Sequence, residues 1–417
     1  METRDFIRSL SATTIAALLG EKLWARYEAI PAERLAEDET FWLALRAKYR
    51  LKPEYINLEH GFYSIQSSEM LESFIGSVRE VNLQGSYYMR TVQAADKLAA
   101  RTSLAALAGC SPDELIITRN TTESLDTVIA GYDWKPGDEA VMASQDYGAM
   151  LDQFTLQSRR YGMVNRIVSL PNDPHSDDEI VQLYANALSP KTRLLLVSHL
   201  VNITGQILPV RKITDMAHAR GVAVAVDGAH AFAQLDYRIP DLGADYYAAS
   251  LHKWLGVPLG AGLLYVQQDR IASLWPIFGD MGFPDTDIRK LNHTGTHPVH
   301  TDLTIQHAVT FHQSIGVARK EARMRYLQRY WTTRVRGMKN IVVNTPVDPM
   351  RSAGIANVGV TSMAPAELAN TLLEKYRIWT VAIDREGVRG ARITPNLYTT
   401  PAELDVLVRA LKELAGA

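Results

Sequence analysis

The sequence predicts an α/β fold: a large, mostly parallel sheet with helices on both faces, followed by a smaller α+β domain. Three observations carry that expectation. Leu194-Leu195-Leu196-Val197-Ser198 and Val222-Ala223-Val224-Ala225-Val226 are continuous apolar runs, the pattern of strands buried on both faces. Helix-like patterns alternate with the strand-like runs, as a layered α/β domain requires. At 417 residues the chain is too long for one ordinary core, so a second domain is expected.

In chain order, residues 1–50 read as a helical arm, with the apolar spacing of Phe41-Trp42-Leu43-Ala44-Leu45. Residues 51–290 are expected to form the large domain. Leu115-Ile116-Ile117-Thr118 reads as a short strand and Thr121 to about Ala130 as a helix. Glu139-Ala140-Val141-Met142-Ala143 reads as a further strand, and Ile213 to Arg220 as a helix stopped by Gly221. Residues 291–417 are expected to form the small domain. A helix-like stretch from about Thr304 to Arg336 leads into shorter strands at Ile341-Val343, Ala356-Val360 and Ile378-Val381. A closing helix from Pro401 to Leu414 begins with a capping-box spacing, Thr400 and Glu403.

Composition excludes several function classes. A formal net charge of −2 with no basic block argues against nucleic-acid binding, and no apolar run is long enough to span a bilayer. The single cysteine, Cys110, permits neither an intramolecular disulfide nor a cysteine metal cluster, and it reads as a turn thiol rather than a nucleophile. Arg4 to Leu19 is similar to an export signal that lacks twin arginines. Its apolar run is short and no small-residue cleavage site follows, so a helical arm packed on a neighbour and a cytoplasmic location are expected, with export as the alternative.

Two strand ends and one strand-to-helix turn carry the candidate chemistry. Asp227, in Val-Ala-Val-Asp-Gly-Ala-His230, falls at the carboxyl edge of a buried strand, where open α/β sheets bind ligands. Lys253, in Ser250-Leu-His252-Lys253-Trp254, follows the next apolar run. Crowding there would lower its pKa and free the amine for imine formation. Asn120-Thr121-Thr122-Glu123 opens a helix whose free N–H groups and hydroxyls suit an anion, although ordinary capping by Asn120 looks the same. A phosphate cradle, a carboxylate and an amine on one sheet edge are thus expected. His293, His297 and His300 lack supporting carboxylate or cysteine spacing, so no metal is expected.

Several stretches in this order resemble the class V aminotransferase superfamily of fold-type-I enzymes that use pyridoxal 5′-phosphate (PLP), and within it the isopenicillin N epimerase-like group. They are Asn57-Leu-Glu-His60-Gly61, Thr121-Thr122-Glu123, Asp146-Tyr147-Gly148-Ala149, His199-Leu-Val-Asn202-Ile-Thr-Gly205, Asp227-Gly-Ala-His230, Ser250-Leu-His252-Lys253, Gly295-Thr296 and Arg392-Ile-Thr-Pro. The resemblance implies that Lys253 holds PLP as an imine and shuttles the α-proton, while Asp227 pairs with the pyridine nitrogen. It implies that Asn202 contacts the ring hydroxyl, that His230 lies beside the ring and that Tyr147 stacks on it, with Asp146 as the alternative at that point. Thr121, Thr122, Ser250 and His252 would hold the phosphate, joined by Thr296 from a second subunit of a homodimer with shared active sites. Arg392 would grip a substrate carboxylate, and Asn57 and His60 match a motif at the active-site entry.

The reaction stays open among epimerisation or racemisation, transamination, C–S lysis and decarboxylative deamination of a small-molecule amino acid. A desulfurase that forms a persulfide on its own thiol is disfavoured, because Cys110 lies far from the C-terminal half. A non-catalytic protein of this fold would have lost the lysine or the aspartate, and both are present.

Overall fold

The computed structural model describes residues 27, 29–279 and 281–416. The signal-like Arg4–Leu19 stretch and most of the expected N-terminal arm therefore lie outside the described residues.

Seven strands form the large sheet: β2 Leu115–Thr118, β3 Glu139–Ala143, β4 Val164–Val168, β5 Thr192–Ser198, β6 Ala223–Asp227, β7 Tyr246–Ser250 and β8 Gly262–Val266, preceded in the chain by a two-residue β1, Ile56–Asn57. Their spatial order is β2-β8-β7-β6-β5-β3-β4. The run from β7 to β4 is parallel, and β8 is antiparallel to both β7 and β2. Alternate residues of the central strands enter different cores, as a two-residue period demands. Leu195, Val197, Val224, Val226, Tyr247 and Ala249 pack into one cluster. Leu194, Leu196, Ala223, Ala225, Tyr246 and Ala248 pack into the other, on the opposite face. Continuous apolar runs are the consequence of this two-sided burial.

A second, four-stranded antiparallel sheet has the order β12-β13-β10-β9, from β9 Ile341–Val343, β10 Ala356–Val360, β12 Val381–Arg385 and β13 Val388–Ile393. The short β11, Ile378–Trp379, pairs instead with β1 in parallel, so a segment near residue 57 joins the C-terminal part of the chain. The closing helix runs Pro401–Ala415, and its Thr400/Glu403 capping box is formed in both directions.

The stretch expected as one helix from about Thr304 to Arg336 is two helices, His300–Ile315 and Val317–Val335. Gly316 separates them with a φ of 89°, a conformation open to glycine that ends the first helix. The described part of the arm packs on its own chain. Phe41, Trp42 and Leu45 are buried, Arg46 pairs with Glu403, and buried Arg323 pairs with Glu39. Among the described residues, no helix is long and apolar enough to cross a membrane.

Candidate active site

The adjacent strands β5, β6 and β7 end together, with Ser198 beside Asp227 and Asp227 beside Ala248 in register. Asp227 is buried there, and its Oδ1 accepts the Ala229 N–H at 2.9 Å. Burial pushes its carboxyl above the usual range, while the Ala229 N–H and the charge of Lys253 pull it back. Gly228 allows the chain to turn at this point, because a Cβ would overlap the Tyr247 hydroxyl at 1.8 Å. Lys253 Nζ lies 3.1 Å from His230 Nε2. Desolvation lowers the Lys253 amine to about 8, Asp227 opposes that shift, and Arg392 adds to it. His230 is pushed well below its ordinary value, first by burial and then by Lys253, so its ring is neutral.

β2 and the helix Thr121–Gly131 supply the second part. Asn120 caps the helix by accepting the Glu123 N–H at 2.9 Å, so the capping reading is correct as far as it goes. The Thr121 N–H donates instead to Ser250 Oγ at 2.9 Å, and the two hydroxyls lie 2.7 Å apart. This cross-link ties the helix start to the end of β7. Gly262 makes the approach possible: a Cβ there would sit 2.7 Å from the Asn120 backbone. His252 is held neutral by burial, its pKa lowered to about 4.

The facing part comes from three separate stretches. Tyr147 is half exposed on the cavity wall, whereas Asp146 turns inward. Asp146 accepts from Ser198 Oγ at 2.6 Å and from the Ala143 N–H at 2.7 Å, and burial raises it to about 7. Asn202 stands in a turn closed by Gly205, whose φ is 78° and whose missing Cβ would strike the Ile355 carbonyl at 2.0 Å. Arg392, on β13, is buried and doubly bonded to Glu59, with Nε at 3.3 Å from Oε2 and Nη2 on Oε1. Its Nη1 donates to the Asn202 carbonyl at 3.3 Å.

Thr121, Thr122, Tyr147, Asn202, Asp227, His230, Ser250, His252, Lys253 and Arg392 line one cavity of about 500 Å³. Asn57 and His60 do not. Asn57 Oδ1 accepts the Glu59 N–H at 2.9 Å, and His60, lowered to about 4 by burial, sits 3.2 Å from the Tyr398 hydroxyl. Both face a separate hollow, and it is the next residues, Gly61 and Phe62, that reach the main cavity. Thr296 is exposed and lies outside the cavity of its own chain. Sequence reading also missed Glu59, Arg119, Ser198, Leu200 and Leu259. Glu59 stood inside a quoted stretch, but nothing local marks it as the partner of Arg392. Among the described residues no group of three or more His, Cys, Asp or Glu is placed to hold a metal ion, and His297 instead lies near Lys97 and Asp302.

The residues present fit PLP. His230 Nδ1 and His252 Nδ1 are buried with no hydrogen-bond partner, Asp227 is a buried carboxyl with one backbone donor, and a hydroxyl-rich helix start faces the same space.

A family model described as aminotransferase class-V matches residues 68–404. The isopenicillin N epimerase of Amycolatopsis lactamdurans is 32% identical over 335 residues, covering 76% of this chain and 84% of that protein. Among solved structures, the apo cysteine desulfurase of Thermococcus onnurineus NA1 superposes with a TM-score of 0.79 at 19% identity, over 89% of this chain and 97% of that one. The cystine C-S lyase C-DES, in complex with cysteine persulfide, gives 0.76 at 24% identity over 87% and 97%. The two structural likenesses establish the fold.

Proposed function

Because the chain belongs to the class V aminotransferase family and is therefore a PLP-dependent enzyme, we propose that it acts at the α-carbon of an amino acid through Lys253. The observation that carries this reading is the triangle of Lys253, His230 and Asp227 at one sheet edge, with Arg392 on the same cavity.

The cofactor supplies an electron sink for the pair released when a bond at Cα breaks. The chain supplies the rest. Thr121, Thr122, Ser250 and His252 would hold the phosphate at the helix start, joined by Thr296 of a second subunit. Asp227 would keep a proton on the pyridine nitrogen. Asn202 would meet the ring hydroxyl, and His230 and Tyr147 would lie against the ring. Lys253 Nζ, with a pKa lowered to about 8, can both take and return a proton near neutral pH. Arg392 would orient the substrate carboxylate and thereby select the bond at Cα that breaks.

Epimerisation, racemisation or transamination is the favoured outcome, and C–S lysis or decarboxylative deamination the second. A desulfurase using its own thiol is disfavoured. Cys110 is outside the cavity, and burial together with Glu114 pushes its thiol up to about 12. The deciding experiment mixes holoenzyme with a panel of L- and D-amino acids and sulfur-containing analogues in deuterated water. Exchange of the α-proton with loss of chirality, or release of a keto acid, supports the first outcome, and release of a thiol or of carbon dioxide the second. No exchange, keto acid, thiol or carbon dioxide from any member would sink the assignment.

A homodimer with shared sites is part of the proposal. It is supported by the apolar side chains Leu71, Leu83, Tyr87 and Leu98, which stand exposed on the helices between residues 68 and 108. The Thr296 loop adjoins them through Lys97–His297 and Phe74–His300 contacts. Light scattering that gives a monomer with full turnover would refute it.

A further inference from the structure

A second, smaller cavity lies behind the segment that carries Lys253. Its volume is about 30 Å³, enough for one or two water-sized occupants. Lys320, from the helix Val317–Val335, is buried in its wall and donates to the Trp254 carbonyl, a neutral acceptor. Among the described residues Lys320 has no carboxylate partner, and desolvation alone moves its pKa. His312, from the preceding helix, is buried beside it with both ring nitrogens unpartnered, and the Trp254 indole N–H is unpartnered as well.

Three hydroxyl oxygens in the same wall each already accept one hydrogen bond. Ser64 Oγ accepts from Asn396 Nδ2 at 2.8 Å, Ser67 Oγ from the Met70 N–H at 3.2 Å, and the Tyr398 oxygen from the Ile65 N–H at 3.2 Å. Lys320, the Trp254 indole and one ring N–H of His312 thus offer donors to the cavity, the other His312 nitrogen can accept, and a cation stands on the wall. A buried ammonium needs a counter-charge or loses its proton, and desolvation already draws Lys320 down to about 7.

We propose that this cavity binds a small monovalent anion of halide size, chloride in the cell, held between Lys320, His312 and the Trp254 indole. The site adjoins the catalytic segment without belonging to it. Trp254 follows Lys253 in the chain, and the Ser64 N–H donates to the His252 carbonyl at 3.1 Å. A bound halide would thus brace the 252–256 segment from behind.

The test uses holoenzyme in chloride, bromide or gluconate at equal ionic strength. Chloride and bromide are expected to raise Tm saturably, by about 1–2 °C at ten times the half-saturating concentration. Crystals grown in bromide should show an anomalous peak within reach of Lys320. Lys320→Met should abolish the halide dependence. Should that variant fold poorly, Trp254→Phe should weaken it several-fold while retaining PLP binding. Identical Tm values in gluconate and halide for the wild type, or a bromide map with nothing in this cavity, would overturn the proposal in favour of bound water.

Discussion

The wall contributed by the seven-stranded sheet carries polar groups with spare hydrogen-bonding capacity, whereas the four-stranded sheet brings a guanidinium that is already paired. On the first wall His230 and His252 each leave a buried ring nitrogen without a partner. On the second, Arg392 spends its Nε–Nη2 edge on Glu59 and its Nη1 on the Asn202 carbonyl. In the proposed roles the first wall would hold the resident cofactor. The second is neutral in itself, so in the proposed role of Arg392 a substrate carboxylate would have to share or displace Glu59, which would keep its affinity moderate.

Variants of the first wall should have the largest effects. Lys253→Ala should lower turnover by about 10⁴-fold or more, since it removes a group that works as a unit with its neighbours. Borohydride should fix PLP on Lys253 of the wild type, and a label on another lysine would break the whole comparison. Asp227→Ala should cost about 10²–10³-fold in kcat, the usual effect of losing one preorganised electrostatic contact, while some PLP still binds. Near-normal turnover would mean that another carboxyl serves the ring nitrogen.

The second wall should respond less, and in KM more than in kcat. Arg392→Lys should reduce kcat/KM on α-amino acids by about 10–100-fold with PLP binding intact, because an ammonium cannot reproduce a planar two-point grip. Glu59→Gln should move in the opposite direction, lowering KM for carboxylate substrates several-fold as the guanidinium is freed, with some loss of Tm. A raised KM would show that Glu59 positions Arg392 rather than competes for it. The smallest effect concerns pH. In its proposed role only the neutral amine of Lys253 would react, and its folded pKa is lowered to about 8, so loading of apoprotein with PLP should speed up as pH rises through 8 and then level off. Stopped-flow absorbance would check this, and a midpoint near the ordinary lysine value would contradict the desolvated setting of Lys253.

The two walls also differ in how far they could be read from the residues. Asp227, Ser250, His252 and Lys253 each follow an apolar run, and Thr121 and Thr122 follow a short one. A strand buried on both faces delivers its next polar residues to the carboxyl edge, so local pattern was enough to gather these groups. The capping box at Thr400 and Glu403 was legible for the same reason, since its partners are three residues apart. The helices spanning Ser68–Ala108 were not identified, and the break at Gly316 was passed over, because one glycine within a helical pattern is ambiguous until its φ is known.

The sequence by itself determined the fold class, the parallel sheet and the gathering of polar residues at its carboxyl edge, because these follow from periodicity and from what comes directly after each strand. Only the tertiary structure decided that Glu59 holds Arg392 across 333 positions, that Asn57 and His60 turn away from the main cavity, and that Lys320 meets His312 and Trp254 in a smaller one. Such pairings depend on how separately formed elements come to rest against each other. Burial then selects among charges that are far apart in the chain, a choice for which no local spacing carries a signal.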